Sequence, residues 1–164
     1  MAPDWDIRVI LNELGAHADR LQPVFRQIDA KAWVAKGASE TYATQLESCQ
    51  AQAKALADGA RQLARKPDVL SAALELYFRM QALDNMIGSL QDGIRKYQNP
   101  AVAEMLAGVA AEGGPNRERF LRFIIDLAAE REQQLSVMDG EAQRCRGMLA
   151  RQPVEVPKTS GKKK

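Results

Sequence analysis

The chain has 164 residues, enough for one well-buried domain and short for two. Alanine, leucine, glutamine and charged residues dominate and aromatics reach only 5%, a bias that favours helix. The formal charge of +2 comes from the end, where Lys158, Lys162, Lys163 and Lys164 outnumber Glu155 and leave the body slightly acidic. Acids and bases alternate along that body as on a solvated face, so a nucleic-acid partner is not expected. No apolar run reaches the ~18–20 residues of a membrane span. Nor does a basic-then-apolar leader precede Trp5. The expectation is a soluble protein, cytoplasmic as written or the mature form of an exported one.

Asp4 can cap the first helix, whose apolar residues fall at Ile7, Leu11, Leu14, Ala18, Leu21, Phe25 and Ile28. Pro23 lies inside this pattern and predicts a kink near residues 18–22. Residues 29–38, with Trp33 and Gly37, read as a connection. Ser39 opens a second helix with Tyr42, Leu46, Cys49, Ala53, Leu56, Ala60 and Leu63 in line. Lys66-Pro67-Asp68 stops it, and Asp68 can cap the third helix. That helix carries Val69, Ala73, Leu76, Met80, Leu83, Ile87, Leu90, Ile94 and Tyr97.

Asn99-Pro100 breaks or bends the third helix, and a short helical piece covers residues 101–111. Gly113-Gly114-Pro115 is the strongest turn signal in the chain. The last helix, residues 116–150, repeats the spacing through Leu121, Ile124, Ala128, Arg131, Leu135, Met138, Ala142, Cys145 and Leu149. Steps of four and three keep one seam facing its neighbours over many turns. The fold class is therefore all-α: an antiparallel up-and-down bundle of four long helices plus one short one. Residues 1–151 form the bundle domain and residues 152–164 a disordered Lys-rich tail. The favoured path keeps the third helix running through Pro100 and reverses the chain at Gly113-Gly114. In the other path the chain folds back at Pro100 and the short helix caps the bundle's end.

Chemistry has few carriers. His17 is the one histidine, too few for the paired Glu-x-x-His of a di-iron bundle. There is no Cys-x-x-Cys-His, His-Glu-x-x-His or Gly-rich phosphate loop. No catalytic residue, metal ligand or cofactor is expected, and an enzyme is not. On the favoured path Cys49, Cys145 and His17 fall in one core layer, near Met86 and Met138. Both cysteines are then buried small hydrophobes, a Cys49–Cys145 disulfide, or thiolate ligands beside an imidazole. The last would make the bundle a carrier of a metal, haem or small apolar molecule.

Phe120, Leu121, Phe123, Ile124, Ile125 and Leu127 are apolar around most of one helix, not on one stripe, and must be covered on more than one side. Phe120, Phe123, Ile124 and Leu127 are the expected interface of a homodimer or with a protein partner, unless they lie in the core. The leading expectation is a non-catalytic bundle acting through that contact. Charged residues at Phe123 and Ile124 should then abolish association and spare helicity.

Overall fold

The computed structural model describes residues 6–154. Those residues hold six helices and no strand. They divide into two compact units, one ending at Leu127 and the other beginning at Ala128, and each is described by itself.

The first unit is an up-and-down bundle. Helix α1, Ile7–Phe25, is capped by Asp6, whose side chain accepts the Arg8 N–H. This is two residues later than the expected cap at Asp4, which lies outside the described residues. Helix α2 is a short piece, Ala30–Ala35, capped by Asp29, where a plain connection was expected. Helices α3, Thr41–Arg65, and α4, Leu70–Tyr97, follow. Helix α5 is Pro100–Glu112, and α6 is Gly114–Arg151, of which residues 114–127 belong to this unit.

Side chains tie each neighbour to the next with residue numbers rising on one helix as they fall on the other. Between α1 and α3, Asp19 pairs with Arg61, and the Gln22 amide donates to the Gln50 carbonyl at 2.8 Å. Between α3 and α4, the Ser89 hydroxyl donates to Gln45 at 3.2 Å. Arg95 meets Glu104 at 3.1 Å, and Asp84 pairs with Arg117. Returning to α1, Arg20 meets Glu112 at 3.4 Å and Asn116 donates to Glu13 at 2.7 Å. The fourth corner of the bundle is thus α5 followed by the start of α6.

This corrects the favoured path. The chain reverses at Asn99-Pro100, where Asn99 is extended and its side chain accepts the Ala101 N–H at 2.9 Å. Proline at the first helical position then needs no hydrogen-bond partner for its missing N–H. Gly113 does not reverse anything. Its backbone is right-handed (φ −77°, ψ −11°), and its carbonyl accepts the Arg117 N–H at 3.0 Å. What Gly113 contributes is space: a Cβ there would stand 2.6 Å from the His17 ring.

Helix α2 seals one end of the bundle. Trp33 is fully buried and packs against Tyr42 and Tyr97, with ring centroids 5.6 and 6.2 Å away. Its indole N–H donates to Gln98 at 3.1 Å, and the Gln98 amide donates to the Gln27 carbonyl at 2.8 Å. A buried indole with its polar edge satisfied is a stable plug.

Candidate interaction surface

Two groups of side chains were candidates for function: the layer of His17, Cys49 and Cys145, and the cluster at residues 120–127. His17 is buried, and its Nε2 lies 2.6 Å from the Val109 carbonyl, which fixes that nitrogen as the donor. It joins α1 to α5. Cys49 is buried at another level: its neighbour Gln50 is the residue that Gln22 reaches, more than one turn beyond His17. Burial pushes the Cys49 thiol up to about 12, so it stays a neutral S–H at ordinary pH, unlike a metal-binding thiolate. Cys145 does not join a core layer. It is exposed, and both thiols are free. The shared layer of Cys49, Cys145 and His17 was argued from a hairpin at Gly113-Gly114, which the chain does not make.

The aromatic and aliphatic cluster of α6 lies mainly in the core. Phe120, Ile124 and Leu127 are buried, and Phe123 is half-buried against the same core. Folding back at Pro100 is the reason, because it brings the start of α6 alongside α4 and α1. The cluster expected as an interface is thus mostly covered by the chain's own helices. A shallow groove of about 340 Å³ between α3 and α4 is floored by Gly59, Leu63 and Leu76 and rimmed by Lys66, Glu75 and Arg79. Charges of both signs ring it without converging on a point. Among the described residues no three His, Cys, Asp or Glu side chains group as a metal site.

The second unit carries a different surface. Residues 128–151 are helical, and none of them is buried. Alanine, leucine, glutamine, glutamate and arginine supply the helix propensity. Local ties run along it: Arg131 donates to Gln134 at 2.9 Å, Gln134 to Glu130 at 3.1 Å, and Gln143 to Asp139 at 3.1 Å. Against that polar background Leu135, Met138 and Leu149 are 66%, 64% and 67% exposed, with Ala142 and Cys145 exposed between them. Their spacing is three, four, three and four residues. Successive positions at that spacing lie on one stripe of a helix.

The sequence pattern held this stripe as part of the last seam, but periodicity does not say whether a seam faces its own domain or another chain. Compared with family models, with curated proteins and with solved structures, the chain gives no match.

Proposed function

We propose that the protein is a non-catalytic helical bundle whose work is contact, made by the apolar stripe of residues 135–149 against another helix. One observation carries this reading: a regular seam of Leu135, Met138, Ala142, Cys145 and Leu149 stands exposed on a helical segment, residues 128–151, with no buried residue. A contiguous exposed apolar stripe of this kind is the mark of an association surface. The segment also needs help to stay helical. It contains Gly140 and Gly147, each costing about 1 kcal/mol relative to alanine in a helix. Most helical stability in proteins comes from packing of an apolar face rather than from propensity. Covering the seam would supply the missing stabilisation.

The bundle residues support the same reading. His17 spends its Nε2 on a backbone carbonyl and Cys49 is held as a thiol, so neither is poised as a nucleophile or ligand.

The test is photo-crosslinking in the source cell, with a benzophenone side chain placed at position 138 or at position 133. Position 138 lies on the stripe and Gln133 lies opposite it. Adducts heavier than the 18.1 kDa chain are expected at 138 and not at 133. Equal labelling at both positions, or none at 138, would overturn the proposal.

A further inference from the structure

We infer that the helix covering this seam is the same segment of a second copy, laid parallel and in register. The inference rests on the contact proposed above and names its partner. Leu135, Ala142 and Leu149 occupy one set of seam positions, and Met138 and Cys145 the other. The residues flanking the seam are Gln134, Glu141 and Met148 on one side and Glu132, Asp139 and Arg146 on the other, all exposed. In a parallel two-stranded pair each residue of the first flank faces the residue five further on in the opposite chain. Glu141 then meets Arg146 of the second copy, and symmetry repeats the pair. Gln134 meets Asp139, an amide donor against a carboxylate. Neither contact sets like charges together.

The antiparallel arrangement that covers the whole seam is worse matched. Interdigitating the seam would set Leu135 opposite Cys145 and Met138 opposite Ala142. Arg146 would still find an acid, Glu132. At the centre, however, Asp139 would face Asp139 and Glu141 would face Glu141. Like charges so placed select against that orientation. Arg131, on the seam before Leu135, is the one charge a parallel pair must accommodate. Its guanidinium donates sideways to Gln134, and a long arginine side chain can keep its charged end in water. A charged seam position fixes register at some cost in stability.

Cys145 reports the orientation directly. In the parallel pair the two Cys145 side chains share one layer, within the ~4.4–6.8 Å Cα separation that a disulfide requires. In the antiparallel pair each would lie level with Leu135, about 15 Å from the other along the axis. Purified full-length chain is therefore treated with oxidised glutathione, and its mass is measured natively and after denaturation without reductant. One Cys145 thiolate displaces a glutathione thiolate to form a mixed disulfide, and the second Cys145 displaces the other. The net change is one interchain S–S bond and two reduced glutathiones. Cys49 is buried and serves as an internal control.

A native dimer that becomes covalent on oxidation, and stays noncovalent in Cys145→Ser, is expected. A dimer that resists crosslinking would overturn the parallel register. A monomer would overturn the second copy as partner, while adducts at position 138 in the cell would still uphold the contact reading. The charge pair gives an independent check. Glu141→Arg should weaken the dimer, and Glu141→Arg combined with Arg146→Glu should restore it. In the antiparallel pair the same double exchange would leave repulsion at both places, so failure of rescue counts against the proposal.

Discussion

Gly88 and Gly93 lie on the same helix, yet a methyl group added at each meets opposite surroundings. Nothing stands within 4 Å of a Cβ on Gly88, whereas one on Gly93 would press within 2.8 Å of Tyr42 and 2.9 Å of Trp33. Gly88→Ala should stabilise the chain by roughly 0.5–1 kcal/mol through helix propensity. Gly93→Ala should destabilise it by ~1–3 kcal/mol through overpacking of the aromatic plug. Urea midpoints of the two variants, moving in opposite directions, check both. Cys49 makes a second residue-level prediction. Its thiol is raised from 9.0 to about 12 by burial, so between those pH values the unfolded chain loses a proton that the folded chain keeps. The folded state binds more protons there, and stability falls as pH rises, by at most about 1.4 kcal/mol per pH unit from this group. The contribution is fully present below pH 9 and lost on passing through 12. Comparing alkaline urea midpoints of the native chain with those of Cys49→Ala isolates it, and the native chain should show the steeper fall.

At the scale of elements, α6 changes character along its length. Ile124 is 3% exposed and Ile125 is 59% exposed. Ile124→Glu should unfold the first unit, because a carboxylate would be buried without a partner. Ile125→Glu should stay within about 0.5 kcal/mol of the parent. Thermal unfolding followed by circular dichroism separates them. The same contrast replaces the expectation that charge at Ile124 would spare the helices and break only an association. The helices and their inward faces were legible in the sequence, since steps of four and three named most of the buried residues of α3 and α4 and about half of those of α1, where Ile10, His17 and Val24 lie beside the seam. The point of reversal was not. Asn99-Pro100 and Gly113-Gly114 are both turn signals by composition, and the choice between them is made by tertiary contact: the His17 ring fills the space that a side chain at residue 113 would need. Helix α2 was hidden for a related reason, because six residues are too few for periodicity to show.

Across the whole molecule, one spacing rule serves two purposes. Up to Leu127 the apolar seams close on one another around the Trp33 plug and the His17–Val109 link, and most of their residues are buried within the chain. From Ala128 the same spacing continues with none of its residues buried. A sequence pattern records that a face is apolar; it cannot record which chain supplies the cover, so the cluster at residues 120–127 was legible as a face but not as core. On the proposed reading, association is made by residues 128–151. Hydrogen exchange of the full-length chain, resolved by segment across a concentration series, tests this most directly. Amides of residues 131–149 should gain protection as concentration rises, while protection of residues 7–127 stays constant. Exchange in 131–149 that remains fast and independent of concentration would contradict the account.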